Sequence, residues 1–228
     1  MRRIVVLVPL VILLVGCGSS SGSSGGSSDS ADRNGTSSST TTESSGKKGA
    51  SMDCEIGGDR SKAELADLND GKKHLVVVDT SKGSFTIELA TKTSPCTTAS
   101  IAGLVQKGFF DGLTFHRIVP GFVIQGGDPE GNGMGGPGYS TVDAPPKDTQ
   151  YVKGLVAMAK TGDEPAGTSG SQFFVVTGAN VGLDPDYAVL GHVTEGLDVV
   201  EKIDRLGDAS DQTGAPTERV EIKSMKLE

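Results

Sequence analysis

Beyond residue 60, short apolar and β-branched runs are separated by turn-forming residues, and a few stretches have apolar residues at helical spacing. Two β-branched runs, at 74–79 and 84–89, are separated by the turn-rich residues 80–83, which predicts a β-hairpin. Upstream, residues 61–68 begin with Ser-Lys-Ala-Glu, the spacing of a capping box, which predicts a short helix.

Further along the chain, short apolar runs are interrupted by glycine and proline. Pro95 opens a stretch of helical spacing that extends to Gln106, and a second helix is predicted over 197–206. A closing strand is predicted over 219–227. Other strands are predicted at 114–118, 122–125, 155–159, 172–177 and 189–193. Many short strands with few helices favour a mainly β fold, a closed antiparallel barrel, over a parallel α/β sheet.

The N-terminus has the pattern of an export signal. An apolar run at 4–15 follows a basic start and is shorter than the roughly 20 residues of a membrane span, so residues 1–16 are predicted to be a signal peptide. The sequence Leu-Val-Gly before Cys17 resembles the lipobox of bacterial lipoproteins. That resemblance implies that Cys17 is lipidated and holds the protein on the extracytoplasmic side of a bacterial cell membrane. An ordinary secretory signal with an incidental cysteine, or an uncleaved anchor, are the alternatives.

Residues 17–51 begin with that cysteine and continue almost entirely with serine, glycine and threonine. They contain too few apolar side chains to offset the entropy of ordering, which predicts a disordered tether. Residues 52–228 are then one folded domain, for which we expect a monomer.

Charge and cysteine content exclude some functions and leave others open. The net charge of −8, with no basic patch, argues against nucleic acid as a partner. Cys54 and Cys96 are an even pair for which the alternatives are a disulfide and two free thiols. The three histidines are scattered and no C-x-x-C motif occurs, so neither a metal site nor a cofactor is expected.

Residues 131–136, Gly-Asn-Gly-Met-Gly-Gly, match the G-x-G-x-x-G pattern of dinucleotide-binding proteins. That pattern is informative only between a strand and a helix of a βαβ unit. Here prolines follow at 137, 145 and 146, so we expect a loop that lets the backbone approach another group closely.

Five motifs together resemble the cyclophilin-type peptidyl-prolyl cis-trans isomerases. They are FHRIVPGFVIQGGD, NGMGGPGY, GLVAMAK, SGSQFFVVT and LDPDYAVLGHV, and the similarity extends over about 75–228. The resemblance implies an eight-stranded closed barrel capped by two helices, with a substrate groove on its outer face. It also implies that proline-containing peptides are the partners and that the chemistry is rotation about X-Pro bonds.

The resemblance also assigns site residues. Arg117, in the F-H-R motif, is expected to be catalytic, and Gln125 to orient it. The residues expected to bind substrate are Phe122, Val123, Gln125, Gly133, Ala159, Lys160, Thr161, Gln172, Phe174, Leu183 and Tyr187. Phe173 alternates with Phe174 and is expected in the core with Phe115, Ile118 and Ile124.

Several positions depart from the family pattern or lie beside its catalytic position. Gly182 stands where several members have tryptophan, and Lys160-Thr161 replaces Asn-Ala. His116 is expected to make a structural hydrogen bond, since the reaction needs no proton transfer. Asp184 and Asp186 are expected to be solvated. The rival functions are a catalytically silent module that binds prolyl peptides and a general chaperone.

Overall fold

The computed structural model of the chain describes residues 53–211 and 213–228. The predicted signal peptide at 1–16, the predicted lipidation site at Cys17 and the predicted tether lie outside these residues. Within the described part of the chain, no helix is long and apolar enough to cross a membrane.

The described residues form mostly short strands, with two α-helices among them. In chain order the strands are β1 (Ile56–Gly58), β2 (Leu75–Thr80), β3 (Gly83–Leu89), β4 (Arg117–Val119), β5 (Val123–Gly126), β6 (Tyr139–Val142), β7 (Leu155–Met158), β8 (Thr168–Ser169), β9 (Phe173–Val176), β10 (Val189–Glu195) and β11 (Ile222–Leu227). The helices are α1 (Pro95–Gln106) and α2 (Leu197–Asp204). The predicted hairpin, the helices predicted over 95–106 and 197–206 and the closing strand are therefore present, with ends shifted by up to a few residues.

Eight strands form one antiparallel sheet in the order β11-β2-β3-β10-β7-β9-β5-β4. The sheet curls into a half-barrel, which confirms the predicted mainly β, eight-stranded fold. Closure between its ends is limited to a few hydrogen bonds, such as Gly112 N to Ile222 O at 2.8 Å and Phe115 N to Val220 O at 3.0 Å. The barrel is thus less fully closed than the sequence predicted.

The side chains inside the sheet are those that the alternation pattern selects. Phe115, Ile118, Ile124 and Phe173 are fully buried, as predicted, and belong to one large apolar core. A smaller apolar cluster around Phe174 lies on the opposite face of the sheet, because successive strand residues point to opposite faces.

The two helices cover different parts of the sheet. Helix α1 lies against β6 and β11, and α2 lies against β3, β4 and β5. Ser94 makes no side-chain cap for α1; instead, a carboxylate oxygen of Asp143 accepts a hydrogen bond from Thr97 N at 2.6 Å. Burial raises the pKa of Asp143, while the hydrogen bonds from Thr97 lower it.

The helix predicted at 61–68 is absent, and this prediction was wrong. Asp59 accepts hydrogen bonds from Ser61 and caps a single 3₁₀ turn at Arg60–Lys62. Beyond the turn the chain crosses α1, where Ala66 N donates to Ala99 O at 2.9 Å and Leu68 is buried in the core. Tertiary packing therefore overrides the local capping signal.

A disulfide joins Cys54 to Cys96, which resolves the alternative left open by the sequence. It links the chain just before β1 to the first turn of α1. Strand β1 belongs to a small second sheet in the order β1-β6-β8, which the sequence did not predict.

Candidate active site

Two adjoining pockets lie along the outer face of the large sheet. The small pocket has a volume of about 210 Å³, and the large pocket has a volume of about 470 Å³. They share three lining residues, Gln125, Ala159 and Lys160, and so form one continuous groove.

The structure brings together all twelve residues that the resemblance assigned to catalysis and substrate binding. The small pocket is lined by Arg117, Phe122, Val123, Gln125, Ala159, Lys160, Phe174, Leu183 and Tyr187. The large pocket adds the remaining three, Gly133, Thr161 and Gln172.

Arg117 begins β4 and lies opposite Gln125 of β5 in the sheet register. Its side chain is half-buried, and within the described residues no carboxylate lies within salt-bridge distance of its guanidinium. Burial lowers the pKa of Arg117, and the nearby Tyr187 raises it. Since arginine ionises far above neutral pH, the group is a permanently charged donor directed at the small pocket.

Aromatic and aliphatic side chains form the wall of the small pocket. Val123 and Phe174 are almost completely buried on the neighbouring strands β5 and β9. The rings of Phe174 and Tyr187 meet edge to face, with their centroids 5.6 Å apart. This geometry is favourable for aromatic pairs and gives the pocket a fixed shape.

Tyr151, which the sequence analysis did not select, holds this wall in place. Its hydroxyl donates to Tyr187 O at 2.7 Å and accepts from Tyr187 N at 3.0 Å. Burial raises the pKa of Tyr151, so the phenol stays neutral and can serve as both donor and acceptor.

A chain of amides crosses the junction of the two pockets. Gln125 Nε2 donates to Gln172 Oε1 at 3.0 Å, and Gln172 Nε2 donates to Gly135 O at 2.9 Å. Gln125 lies opposite Arg117 in the register, but no hydrogen bond joins the two in the described part of the chain, so the role of orienting Arg117 stays a prediction. Gln125 is instead held by Gln172.

Lys160 is the one position in the groove where a charge replaces the family's amide. Its side chain is only 2% exposed, and its ammonium lies 2.6 Å from a carboxylate oxygen of Asp186. It also donates to Glu164 O at 3.0 Å and lies 5.6 Å from the ring centroid of Tyr187. Asp186 neutralises this buried lysine, while its own side chain is 41% exposed and stays partly solvated, as expected.

The glycine-rich stretch at 131–136 forms a loop that lines the large pocket, as predicted. Asp128, whose role the sequence analysis missed, organises that loop. It is 1% exposed and accepts backbone hydrogen bonds from Glu130 at 2.8 Å, Asn132 at 2.9 Å and Gly133 at 2.5 Å. Gly133 has a φ of 89°, a conformation that favours glycine.

Burial alone would raise the pKa of Asp128, but the backbone hydrogen bonds and the neighbouring His116 lower it below its ordinary value. His116 itself has both ring nitrogens buried without a partner among the described residues. The structural hydrogen bond expected for it is therefore not present. Burial lowers the pKa of His116 and so favours the neutral imidazole.

No group of three or more histidine, cysteine, aspartate or glutamate side chains could hold a metal ion in residues 53–211 and 213–228. The groove offers one unpaired cationic donor, a rigid apolar pocket and a polar channel beside it. This combination suits the binding and distortion of a peptide rather than a reaction that needs a nucleophile.

Comparisons with known proteins agree with this geometry. Residues 75–227 match the family model described as cyclophilin type peptidyl-prolyl cis-trans isomerase/CLD. A peptidyl-prolyl cis-trans isomerase of Arabidopsis thaliana is 36% identical, over 69% of this chain and 96% of its own length. Peptidyl-prolyl cis-trans isomerase A of Mycobacterium tuberculosis is 37% identical, over 65% of this chain and 88% of its own.

A solved structure shows the same fold. The cyclophilin-type isomerase of Cryptosporidium parvum superposes with a TM-score of 0.61 at 26% identity, covering 69% of this chain and 98% of its own. The chain therefore belongs to the cyclophilin-type peptidyl-prolyl cis-trans isomerases and is an enzyme of that class.

Proposed function

We propose that this isomerase acts on X-Pro bonds of proteins that have just crossed a bacterial cell membrane, with Arg117 as its catalytic residue. The observation that carries the proposal is a half-buried arginine, without a carboxylate partner in the described residues, directed into a rigid apolar pocket.

The reaction explains why such a site is sufficient. Rotation about the peptide bond has a barrier of roughly 18–20 kcal/mol because the C–N bond has partial double-bond character. Uncatalysed X-Pro exchange takes tens to hundreds of seconds. An enzyme lowers this barrier by binding the twisted amide more tightly than either planar form, which requires no acid, base or nucleophile.

Arg117 supplies the selective interaction. As the amide twists, the lone pair of the proline nitrogen becomes localised and can accept a hydrogen bond. Arg117 donates that bond without losing its proton. With a proline ring filling the pocket and displacing water from it, a donor fixed there contributes about 2.7–4 kcal/mol, which corresponds to about 100- to 1000-fold in rate.

The apolar wall holds the proline ring in the small pocket. Val123 and Phe174 form its floor, and Phe122, Leu183 and Tyr187 complete its sides. The residues before the proline then lie in the large pocket, along the backbone of residues 159–161 and the loop that Asp128 organises. One structure of the Cryptosporidium parvum relative was determined in the presence of the dipeptide Ala-Pro, which supports proline-containing peptides as the substrate class.

Two features support an extracytoplasmic location. The Cys54–Cys96 disulfide is of a kind that persists in oxidising compartments outside the cytosol. The predicted signal peptide and lipidated Cys17 would hold a monomeric domain at the membrane by a flexible tether, near proteins that are still folding.

Two measurements test the proposal. The purified protein should accelerate cis-to-trans exchange of a proline tetrapeptide and the proline-limited refolding of a secreted protein. In cells, a Cys17→Ala variant should move from the membrane fraction to the soluble fraction. If the protein bound the peptide without accelerating exchange, it would be a catalytically silent module that binds prolyl peptides. If the Cys17→Ala variant stayed in the membrane fraction, lipid anchoring at Cys17 would be refuted.

A further inference from the structure

The segment at 53–68 lies before the residues matched by the family model, yet it is built into the fold. The Cys54–Cys96 disulfide ties its start to α1. Strand β1 pairs with β6 in the register Ile56 to Thr141 and Gly58 to Tyr139. We call residues 53–68 the N-terminal segment.

This segment forms part of the wall of the large pocket. Gly58 lines that pocket together with Gly138 and with Tyr139 and Ser140 of β6, the strand that β1 pairs with. Asp59 N donates to Gly138 O at 3.1 Å, which fixes the end of β1 against the pocket rim. A peptide that extends from the small pocket through the large pocket therefore meets the N-terminal segment.

The N-terminal segment also brings a positive charge to this rim. Lys62 lies against Gly138, where a methyl group placed on the glycine would be 3.0 Å from Lys62 Cδ and 3.3 Å from Nζ. The side chain of Lys62 is 60% exposed, and its ion pair with Asp59 is long, at 3.9 Å. Its charge is therefore only weakly neutralised.

Lys62 stands beside the rim through Gly138 and does not itself line the large pocket, whose own charged side chains are already engaged. Lys160 is paired with Asp186. The carboxylate of Glu164 accepts bonds from Thr161 N and Oγ1, and Glu130 accepts one from Asn132 Nδ2 at 3.2 Å. Lys62 is thus the group best able to form a new ion pair with a bound peptide.

We propose that the N-terminal segment is a second substrate-binding wall, and that Lys62 selects peptides with acidic side chains several residues before the proline. This inference rests on the proposed isomerase function and specifies which peptides that site prefers. The disulfide holds the wall in place, so selection depends on it as well.

Charge reversal gives the sharpest test. We would compare kcat/KM for a proline tetrapeptide and for two peptides extended by four residues on the N-terminal side, carrying either glutamates or lysines. The proteins are the wild type, Lys62→Glu and the control Lys72→Glu. Lys72 is a similarly exposed lysine whose ion pair with Asp70 is also long, at 3.7 Å, but it lies outside the N-terminal segment.

The wild type should favour the glutamate peptide over the lysine peptide by about two- to fivefold, as expected for a partly exposed ion pair. Lys62→Glu should reverse that preference and leave the tetrapeptide unchanged, while Lys72→Glu should change nothing. The preference should vanish at about 1 M salt, where charges are screened within about 3 Å. Equal effects of Lys62→Glu on all three peptides, or none, would overturn the inference.

A second variant tests the role of the disulfide. Cys54→Ser/Cys96→Ser should lose most of the preference between the two long peptides while keeping activity on the tetrapeptide. A preference that survives in this variant would show that the wall does not need the disulfide and would overturn that part. A wild type inactive on all three peptides would instead refute the isomerase function on which the inference rests.

Discussion

Replacing Asp128 should loosen the loop that walls the large pocket and weaken peptide binding more than it slows the reaction. One carboxylate oxygen of Asp128 accepts from Asn132 N and Gly133 N, and the other accepts from Glu130 N. The side chain is almost completely buried, so water cannot easily replace these bonds. Gly133 lines the large pocket, so loop order and substrate binding are coupled.

The size of the effect follows from the number of bonds. Asp128→Asn keeps one accepting oxygen but presents an NH₂ group to backbone donors on the other side. A hydrogen bond to a charged group contributes about 1.5–3 kcal/mol, so this variant should lose about 2–3 kcal/mol of local stability. A change of about 1.4 kcal/mol in binding free energy alters a binding constant tenfold. If that part of the lost stability falls on the loop that binds the peptide, KM rises about tenfold. Asp128→Ala removes all three bonds and should do more.

The assay is isomerase kinetics with kcat and KM separated, beside urea unfolding. Asp67→Asn is the matched control, because Asp67 caps an exposed turn with one bond from Asn69 N at 3.0 Å. A kcat that falls with KM unchanged would refute the reasoning, because Asp128 would then act on the chemical step. So would an Asp128→Asn protein with wild-type stability and kinetics.

The same carboxylate gives a pH dependence. The pKa of Asp128 is lowered in the folded protein, so its stabilising contribution is present above the ordinary pKa of a carboxylate and is lost as pH falls through the folded value. The stability difference between the wild type and Asp128→Asn should therefore shrink below about pH 4. If the stability difference between the two proteins stayed constant down to pH 2, the claim that Asp128 is ionised and hydrogen-bonded in the folded protein would be contradicted.

Three further substitutions have distinct expected outcomes. The disulfide closes a loop between residues 42 apart, so Cys54→Ser/Cys96→Ser should lower the unfolding free energy by about 4 kcal/mol in urea titrations; a loss below about 1 kcal/mol would contradict the loop-closure estimate. Phe173→Ala removes a core side chain and should cost about 3–5 kcal/mol of stability, whereas Phe174→Ala should mainly raise KM. If the two variants changed stability and KM equally, the assignment of the two faces of β9 would be wrong. Asp186→Ala leaves a buried lysine ammonium without its carboxylate and should cost about 1–3 kcal/mol, and unchanged thermal unfolding would refute that pairing.

The parts of the fold that the sequence predicted well are those with local signals. Two β-branched runs around a turn-rich link defined the hairpin of β2 and β3, and Pro95 with helical spacing defined α1. The opposite orientations of Phe173 and Phe174 follow from strand geometry alone. Each of these features depends on residues close together in the chain.

The features that were missed depend on distant partners. Strands β1, β6 and β8 are short and partly polar, and β6 forms a sheet with them by pairing with β1 on one side and β8 on the other, both distant in the chain. The capping box at residues 61–64 was overridden because Ala66 and Leu68 are buried against α1 and the core. Local sequence carries no record of such contacts.

The candidate site shows the same division. Its twelve residues were predicted from the resemblance of the motifs. The residues that hold those twelve in place were not predicted. Tyr151 lies well before Tyr187 in the chain, and Asp186 is far from Lys160, so neither pairing has a sequence signal. Asp128 did offer one, since an aspartate followed by proline, glycine and asparagine is typical of a turn that the aspartate side chain organises.

The central claim is that Arg117 stabilises the twisted amide, and the most direct test compares the wild type, Arg117→Ala and Arg117→Lys. For each protein, kcat/KM for a proline tetrapeptide is measured together with the Kd of the same peptide. Arg117→Ala should lower kcat/KM by about 100- to 1000-fold with little change in Kd, and Arg117→Lys should recover only part of that loss because it lacks the planar fork of donors. A loss in kcat/KM matched by an equal rise in Kd would contradict the account, because Arg117 would then bind the planar substrate as tightly as the twisted amide.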